Sequence, residues 1–331
     1  MRPKIGITLG DPAGIGYEIT AKALSKLKDK SNADFILVGN KNQFLKVLKI
    51  LNLEPTDILR SIDFIEIPGQ DIEFGKVQRE AGRISLESVK LGVELAMKNE
   101  IDALVTAPIN KEAWKLAGSK HIDHTTLLQD LTNSSKSITI FEVKKLRIYF
   151  LTRHIPFSKI VSEVTKDKII RGIFEADLSL KLLGVNNGKI AVAALNPHAG
   201  EDGLLGREEI DEIKPAIEEA RTKYDIEVYG PFPADSVFYM AARGNYDIVI
   251  SLYHDQGHIA AKMYDFRRTV SLTLGLPFLR TSVDHGTAFD IAGKGIADET
   301  SMVEAIKKAV KYAVKYKENY SRYYKDTNGN I

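Results

Sequence analysis

The stretch SLYHDQGHIAAKMYDFRRTVSLTLGLPFLRTSVDHGTAFDIAGKG, residues 251–295, decides the fold that the sequence predicts. It concentrates histidine, lysine, arginine and aspartate side chains among glycines. The run before it, DIVISL at residues 247–252, is short, β-branched and mostly apolar, which is typical of a strand buried on both faces of a parallel sheet. His254 and Asp255 would then follow the carboxyl end of a strand, where open α/β sheets bind ligands. The stretch therefore predicts an α/β protein with a ligand site at a sheet edge.

Composition limits the class of protein. The chain has 331 residues, 44% of them hydrophobic and 27% charged, which predicts a globular protein large enough for two domains. The net charge of +2, from 46 basic and 44 acidic residues, argues against a nucleic-acid or membrane-surface partner. Cysteine is absent, so any metal must be held by nitrogen and oxygen ligands. The N-terminal run is too short for a signal peptide or a membrane span, and we expect a cytoplasmic protein.

Three histidines occupy equivalent positions after predicted strands. His154 follows LRIYFL, His198 follows KIAVAAL and His254 follows DIVISL. A single histidine is more often a surface or capping residue than a ligand. Three at one edge of a parallel sheet would converge, and three imidazoles suit Zn²⁺, Co²⁺, Ni²⁺ or Fe²⁺. Asp255 is suited to orient the imidazole of His254.

Other segments leave alternatives open. The turn at residues 10–16, GDPAGIG, could place backbone N–H groups on an anion, but it lacks the G-x-G-x-x-G spacing and is equally well explained as a plain tight turn. His121 and His124 could be ligands, substrate contacts or part of a hydrated turn. Residues 85–99 predict a helix with Ser85 as its N-cap. Residues 301–324 predict a long helix whose lysines and tyrosines form a solvated surface.

An ordered set of motifs resembles a known family along nearly the whole chain. The 4-hydroxythreonine-4-phosphate dehydrogenases of pyridoxal phosphate biosynthesis have similar motifs in the same order. Residues 285–297, HGTAFDIAGKGIA, also resemble the cofactor loop of isocitrate and isopropylmalate dehydrogenases. The motifs are GDPAGIGYE, TAPINK, HIP, NPHAGEDGLLGREE, GPFPAD, YHDQG and TLGLPFLRTSVDHGTAFDIAGKG.

The resemblance implies a fold and a division into domains. It implies two interwoven α/β/α domains of the isocitrate and isopropylmalate dehydrogenase type, with the active site in the cleft between them. Residues 1–125 and 265–331 would form the cofactor-carrying domain. Residues 126–264 would form the metal, substrate and dimerisation domain. The implied assembly is a homodimer with active sites shared between subunits, His154 and His198 coming from one chain and His254 from the other.

The resemblance also implies roles for particular residues. The divalent metal, Zn, Mg or Co, would be held by the three histidines at the strand ends. Lys262 and His124 are the candidates for catalytic proton transfer. The substrate contacts implied by the family are His124, Thr125, Lys262, Ser271 and Arg280. The implied contacts to the NAD or NADP cofactor are His285, Gly286, Thr287, Ala288, Asp290 and Gly293.

The implied reaction is oxidation of a secondary alcohol followed by decarboxylation. The substrate would be 4-phosphooxy-L-threonine, converted to 2-amino-3-oxo-4-phosphooxybutanoate and then to 3-amino-2-oxopropyl phosphate. Two positions depart from the family pattern, since Thr126 stands where glutamate is usual and Ser271 where asparagine is usual. Both lie at substrate positions, so a 4-phospho-D-threonate or 4-phospho-D-erythronate dehydrogenase of the same family is the alternative.

Functions of another class remain open at this point. The same scaffold could belong to a catalytically silent protein that binds a metal or a phosphorylated metabolite, or to an acyl-phosphate transferase. A transferase would need neither a nicotinamide cofactor nor the three histidines. Reduction of NAD on mixing with substrate separates these functions from a dehydrogenase.

Overall fold

The computed structural model describes residues 2–27 and 31–324. The chain forms two compact units: unit 1 is Met1–Ser137 with Val270–Glu318, and unit 2 is Ile138–Thr269 with Asn319–Ile331. The family resemblance predicted these divisions after residues 125 and 264. Residues 1, 28–30 and 325–331 of its first domain lie outside the described residues. Because the chain leaves unit 1 and later returns to it, unit 1 is discontinuous.

Strands and helices alternate along most of the described chain. The strands are β1 (Lys4–Thr8), β2 (Asp34–Gly39), β3 (Asp63–Glu66), β4 (Ala103–Thr106), β5 (Ile138–Val143), β6 (Leu146–Phe150), β7 (Ile190–Ala193), β8 (Val228–Phe232), β9 (Ile248–Ser251), β10 (Val270–Leu274) and β11 (Leu279–Val283). The helices are α1 (Gly16–Leu27), α2 (Lys41–Ile50), α3 (Pro55–Leu59), α4 (Arg79–Met97), α5 (Lys111–Leu116), α6 (His124–Thr132), α7 (Ile160–Glu163), α8 (Lys166–Leu182), α9 (Lys214–Tyr224), α10 (Ala234–Ala242), α11 (His254–Asp265) and α12 (Thr300–Asn319). None of the helices within the described residues combines the length and apolar composition needed to cross a bilayer.

The sheet of unit 1 is mostly parallel, with the strand order β3-β2-β1-β4-β11-β10. Neighbouring strands are parallel except β10, which runs antiparallel to β11. β4 is buried along its whole length, as expected of a strand covered on both faces. Helix α4 covers one face closely, because a Cβ on Gly92 would lie 2.9 Å from Leu104 and 3.0 Å from Thr8.

The sheet of unit 2 has the strand order β5-β6-β9-β7-β8. β5 is antiparallel to β6, and the pairs β6–β9, β9–β7 and β7–β8 are parallel. The carboxyl ends of β6, β9 and β7 therefore lie side by side at one edge. Apolar side chains form a core against this sheet, among them Phe141, Ile148, Phe150, Phe238 and Val249. The predicted α/β class is confirmed in both units.

Helix α4 begins earlier than the sequence predicted. Ser85 is not the N-cap; it lies inside Arg79–Met97, buried, and donates to the carbonyl oxygen of Gly82 at 3.0 Å. Gly82 weakens the helical signal. A Cβ at Gly82 would lie 2.0 Å from the carbonyl oxygen of Ala113, so this glycine is what allows α5 to approach α4. Tertiary packing, which the local pattern does not show, explains the difference.

The C-terminal helix buries tyrosines that were expected at a solvated surface. α12 ends at Asn319 and a π-helical turn follows at Tyr320–Tyr324. Tyr312 and Tyr316 are buried. The hydroxyl of Tyr316 accepts from the N–H of Gly275 and donates to the carbonyl oxygen of Leu276, both at 2.8 Å. The expectation was wrong because a tyrosine can be buried once its hydroxyl has partners.

Candidate active site

The three histidines of unit 2 stand at one edge of its sheet. Strand β9 lies between β6 and β7, and the three are parallel. His154 follows the end of β6, His198 follows the end of β7, and His254 opens α11 just after β9. The structure therefore places all three at the edge where open α/β sheets bind ligands.

His154 and His254 lie next to each other, with ring centroids 5.6 Å apart. The Nδ1 atom of His254 is 2.6 Å from Oδ1 of Asp255. Since an ionised carboxylate can only accept a hydrogen bond, Nδ1 donates, and in the neutral imidazole this leaves the lone pair on Nε2. Asp255 thus makes the contact that the sequence predicted, and it holds His254 in the tautomer that a metal ligand needs.

His258 joins this pair, and sequence analysis missed it. Its ring stacks on that of His254 with centroids 3.9 Å apart, and it also contacts Phe141 and Phe150 at 4.4 and 4.6 Å. Burial lowers the pKa of His258 to about 4, and the neighbouring His254 adds to the effect. The signal was present in the sequence, because a spacing of four residues puts two histidines on one face of a helix.

Lys262 extends the same face of α11. It follows His258 by four residues and His254 by eight. Its Nζ atom lies 5.4 Å from the ring centroid of Phe266, and its charge helps to lower the pKa of His258. The structure therefore brings the predicted catalytic lysine beside the row of imidazoles.

His198 stands on an unusual turn. The five consecutive residues 198–202 have φ values of 51°, 57°, 80°, 42° and 53°. For residues other than glycine, a left-handed conformation costs roughly 1–2 kcal/mol each. The His198 side chain is 66% exposed and its Nδ1 lies 2.7 Å from Oε1 of Glu201. This hydrogen bond raises the pKa of His198 and orients its imidazole as Asp255 orients His254.

The donors suit a divalent metal, but one chain does not assemble three of them. In residues 2–27 and 31–324, no group of three or more histidine, aspartate or glutamate side chains is close enough to hold an ion. The sequence predicted that His154 and His198 come from one chain of a dimer and His254 from the other, and this stays a prediction. Within this chain His254 lies beside His154, because β6 pairs with β9.

Unit 1 buries the guanidinium of Arg280, which is only 6% exposed. Its Nε and Nη2 donate to the hydroxyl of Thr106 at 2.9 and 2.7 Å, and its Nη1 donates to that of Thr273 at 3.2 Å. No carboxylate among the described residues forms an ion pair with it. Burial lowers the pKa of Arg280 to about 10, although Asp123 partly opposes the shift, so the group stays cationic near neutral pH. A buried cation held only by hydroxyls is suited to receive an anion.

The imidazole of His124 lies in the same unit and is influenced by this charge. Its ring meets that of Trp114 edge-on, with centroids 5.5 Å apart. Its Nε2 atom is buried and has no hydrogen-bond partner among the described residues. Burial lowers the pKa of His124, and the charge of Arg280 lowers it further. His124 is therefore neutral near pH 7 and can accept a proton or a hydrogen bond.

Asp123 and Thr126 form the start of helix α6. Oδ1 of Asp123 accepts from the N–H of Thr126 at 2.9 Å and from its hydroxyl at 3.1 Å. This is an N-cap, which satisfies a backbone donor at a helix start. Thr125 lies between them, half-buried, next to His124. The departure at Thr126 thus completes a cap.

Ser271 lies near Arg280 on one face of the β10–β11 pair. Ser271 is paired with Ser282 and Thr273 with Arg280. Because side chains two apart on a strand share a face, all four point the same way. Diagonal neighbours across antiparallel strands are roughly 7–8 Å apart. The structure therefore brings together two of the residues that the sequence assigned to the substrate.

The predicted cofactor loop is fixed at His285. Its Nδ1 lies 3.0 Å from the carbonyl oxygen of Gly286, which can only accept, so Nδ1 donates. Its Nε2 then accepts from the hydroxyl of Ser301 at 2.9 Å. Both ring nitrogens are occupied within the protein, so His285 shapes the loop.

The rest of this loop is held by close backbone contacts. Gly293 has φ +75°, and a Cβ there would lie 2.6 Å from the ring of Phe74, so glycine is required. Ala288 also has a positive φ, of 42°. Asp290 is exposed. The loop thus keeps a defined shape with one carboxylate at its surface.

The turn at residues 10–16 supports this loop and uses most of its N–H groups within the protein. The N–H groups of Asp11, Ala13, Gly14 and Ile15 donate to Pro108 O, Asp11 Oδ1, Asp11 O and Thr287 O. The use of these four donors inside the protein favours the tight-turn alternative.

Asp11 has an unusual setting in this turn. Its side chain is fully buried, and its Oδ2 has no partner among the described residues. Burial raises its pKa to about 6, while the bond from the N–H of Ala13 opposes the shift. Unit 1 thus buries a second group whose charge is poorly compensated.

Glu18 and Lys22 of helix α1 bind the end of the predicted cofactor loop, and no pattern in the sequence indicated this contact. The Glu18 carboxylate accepts from the N–H groups of Ala297 and Gly295 at 2.7 and 3.2 Å. Lys22 donates to the carbonyl oxygens of Gly295 and Ala297 at 2.9 and 2.7 Å and to Glu18 at 2.8 Å. One ion pair therefore holds four backbone groups of residues 295–297. We call it the Glu18–Lys22 clasp.

Comparison with known proteins identifies the class. The crystal structure of a 4-hydroxythreonine-4-phosphate dehydrogenase from Klebsiella pneumoniae matches with a TM-score of 0.83 and 37% identity, covering 95% of this chain and 98% of that one. Relatives from Fusobacterium nucleatum and Halalkalibacterium halodurans are each 48% identical, over 93% and 92% of this chain and 96% of theirs. Both are named "Putative D-threonate 4-phosphate dehydrogenase". The protein is a dehydrogenase.

The family follows from a further match. The family model described as pyridoxal phosphate biosynthetic protein PdxA covers residues 18–309. The chain belongs to the PdxA family, and the family predicted from the order of the motifs is confirmed.

Proposed function

We propose that this chain is an NAD- or NADP-dependent dehydrogenase that needs a divalent metal and oxidises a 4-phosphorylated hydroxy acid. D-threonate 4-phosphate is the first candidate, because relatives named for it are 48% identical. 4-Phospho-D-erythronate differs from it only in stereochemistry. 4-Phosphooxy-L-threonine is the second candidate, supported by the 37% identical Klebsiella pneumoniae structure.

The buried guanidinium of Arg280 is the observation that carries the proposal. It is a cation held by two threonine hydroxyls, with no carboxylate paired to it in the described part of the chain. An anionic substrate group would supply the missing charge through a two-point contact. A phosphorylated acid carries two such groups, its phosphate and its carboxylate.

Ser271 is the residue that we expect to separate the two candidates. It shares a face with Arg280, where the family usually has asparagine. A serine hydroxyl is shorter than an amide and offers a different set of donors and acceptors, and such differences discriminate strongly when they face a substrate. Serine here supports a substrate that differs from 4-phosphooxy-L-threonine near this side chain.

The remaining side chains supply the proton chemistry. His154, His198 and His254 would hold Zn²⁺, Mg²⁺ or Co²⁺, which when bound acidifies the substrate hydroxyl and polarises the resulting ketone. His124, neutral and with Nε2 unpartnered in the described residues, is a candidate to accept the hydroxyl proton, as is Lys262. Hydride transfer leaves a 3-oxo acid, which loses its carboxylate as carbon dioxide.

The loop that follows β11 is the proposed nicotinamide cofactor site. His285, Gly286, Thr287, Ala288, Asp290 and Gly293 keep the role that the family resemblance gave them. The shape fixed by His285 and Gly293 supports this role, since glycine permits close approach of the backbone to a ligand. Asp290 offers an exposed acceptor for a ribose hydroxyl.

We propose a homodimer with shared active sites. Ile259, Met263 and Phe266 form an exposed apolar stripe on α11 beside the histidine row. Such a stripe is typical of an interface, and one chain leaves its histidines divided. His154 and His254 would come from one chain and His198 from its partner. We propose no nucleic-acid or membrane partner and a cytoplasmic location, in keeping with the net charge of +2.

The experiment is a substrate screen with the full-length protein. D-threonate 4-phosphate, 4-phospho-D-erythronate and 4-phosphooxy-L-threonine are each mixed with NAD or NADP and one metal, and reduced nicotinamide is followed by absorbance. We expect the highest kcat/KM with D-threonate 4-phosphate. Chelation should abolish turnover and Zn²⁺, Co²⁺ or Mg²⁺ should restore it. Full activity after exhaustive chelation, or no reduction with any of the three acids, would contradict the proposal.

A further inference from the structure

The intrinsic conformational preferences of its residues do not explain the turn that carries His198. Residues 198–202 are all left-handed, and only Gly200 among them favours that conformation. Backbone of this kind persists where the surrounding structure imposes it. The surrounding structure here is the carboxylate of Glu209.

Glu209 is anchored at the start of the turn. Its side chain is buried, and its Oε1 accepts from the N–H groups of Leu195 and Asn196, both at 2.8 Å. Its Oε2 accepts from the amide of Asn196 at 2.9 Å. In the described residues no basic side chain pairs with it, so backbone and amide donors stabilise its charge. Both oxygens therefore fix the chain just before His198.

The same carboxylate also supports the middle of the turn. Gly200 has φ +80°, and a Cβ there would lie 2.8 Å from Oε2 of Glu209. The N–H of Leu205 closes the turn by donating to the carbonyl oxygen of Gly200 at 3.1 Å. Glu209 thus contacts the turn on both sides of His198, which is itself largely exposed.

We infer that Glu209 is a positioning residue that presents His198 to the divalent metal. The inference rests on the proposed function, in which His198 is a ligand. The carboxylate of Glu201 is hydrogen-bonded to the ring of His198. The ring can nevertheless occupy one defined position only if the backbone of the turn is itself fixed. Outer groups that orient a metal ligand typically change metal affinity about 10–100-fold when removed.

The test is Co²⁺ binding by the metal-free full-length protein, followed by the visible absorption of the bound ion. We expect Glu209→Ala to weaken Co²⁺ binding about 10–100-fold, and Glu209→Gln to weaken it less because one acceptor oxygen remains. Glu208→Ala is the matched control, since the only hydrogen bond of the Glu208 carboxylate within the described residues comes from the side-chain amide of Asn196, at 2.6 Å. It should bind Co²⁺ within about twofold of the unaltered protein.

A second variant controls for the possibility that Glu209→Ala loses Co²⁺ binding because it misfolds. Gly200→Ala keeps Glu209 but places a methyl group against its carboxylate, and it should weaken Co²⁺ binding in the same direction. If folded Glu209→Ala and Gly200→Ala both bind Co²⁺ normally while His198→Ala does not, the positioning role is wrong and the ligand role stands. If His198→Ala also binds normally, the ligand role is wrong and the inference falls with it.

Discussion

The two units place functional side chains in opposite ways. In unit 1, Arg280 is 6% exposed and His124 has a buried Nε2, and unit 1 supplies the hydroxyls bound by Arg280 and the indole beside His124. In unit 2, the side chains of His198 and His254 are 66% and 38% exposed, and three ligands do not converge among the described residues. The proposed anion site therefore has its side chains within one unit, whereas the proposed metal site would need a ligand from a second chain to be complete.

Both arrangements oppose folding, but for different reasons. Arg280 and Asp11 are buried and form no ion pair within the described residues, and burial disfavours their ionised forms, although Asp123 partly offsets this for Arg280. The turn at residues 198–202 instead holds backbone in a conformation that L-residues avoid. In unit 1 the unfavourable free energy comes from buried charge, and in unit 2 it comes from strained backbone. A bound ligand of opposite charge can reduce only the first.

The largest expected effect tests whether unit 2 is completed by a second chain. His154→Ala, His198→Ala and His254→Ala should each abolish activity. Mixing His154→Ala with His198→Ala chains should restore about a quarter of the activity if subunits exchange freely, because half of the dimers are mixed and one of their two sites is intact. Steady-state turnover before and after mixing measures this.

A second mixture of variants shows which two of the three histidines come from the same chain. His154→Ala with His254→Ala should stay inactive, because both ligands come from the same chain and every mixed site lacks one. If that mixture recovered activity and the first did not, the division predicted from sequence, with His154 and His198 together, would be correct. A mass-tagged chain confirms that subunits exchanged.

A large effect is also expected from the buried cation of unit 1. Arg280→Lys keeps the charge but loses the planar fork, so kcat/KM should fall by about 30-fold or more, equivalent to about 2 kcal/mol of lost transition-state binding. Arg83→Lys is the control, since Arg83 makes surface ion pairs with Glu80 and Glu87. A large loss of stability at unchanged kcat/KM would assign Arg280 a structural role instead.

The Glu18–Lys22 clasp should matter less, and only to the cofactor. Lys22→Met removes two bonds to backbone carbonyls, and we expect NAD to bind about tenfold more weakly, since two neutral-acceptor bonds contribute about 1–2 kcal/mol. Co²⁺ binding should not change. Lys26→Met is the control, because Lys26 pairs with Glu299 at the surface. Equal loss of NAD and Co²⁺ binding would indicate general unfolding, contrary to a local role.

The sequence was informative where chemistry follows local pattern. Short apolar runs predicted β6, β7 and β9, and their shared direction put three histidines at one edge. Motif order predicted the family. His258 could have been found from its spacing of four residues to His254 if a helix after β9 had been predicted.

Other features depend on contacts between distant residues. The burial of Arg280 rests on Thr106, 174 positions away, and the Glu18–Lys22 clasp joins residues more than 270 positions apart. No local period encodes such pairs. The left-handed turn is likewise hidden, because only one of its five residues is glycine. The sequence therefore predicted the chemical groups of the site better than the long-range contacts and the turn that hold them in place.

The smallest expected effect is the pH dependence of stability that follows from the burial of Asp11 in unit 1. Burial raises the pKa of Asp11 from its ordinary value of 3.8 to about 6, so the folded protein binds this proton more tightly than the unfolded chain. The resulting stability is present below pH 4 and is lost as the pH rises through 6. Between pH 5 and pH 8 the loss should be about 1 kcal/mol, and Asp11→Asn, which cannot ionise, should remove it.

Urea unfolding of both proteins at pH 5 and pH 8 measures this difference, and comparison between the two proteins cancels the titration of His124 and other groups. Asn keeps an acceptor for the N–H of Ala13, which lies 2.8 Å from Oδ1. Asp71→Asn is the control, because the Asp71 side chain is 89% exposed and should show no such pH dependence. If the free energies of unfolding of Asp11→Asn and the unaltered protein differed by the same amount at both pH values, Asp11 would titrate normally. The contrast between buried functional groups in unit 1 and exposed ones in unit 2 would then rest on Arg280 and His124 alone.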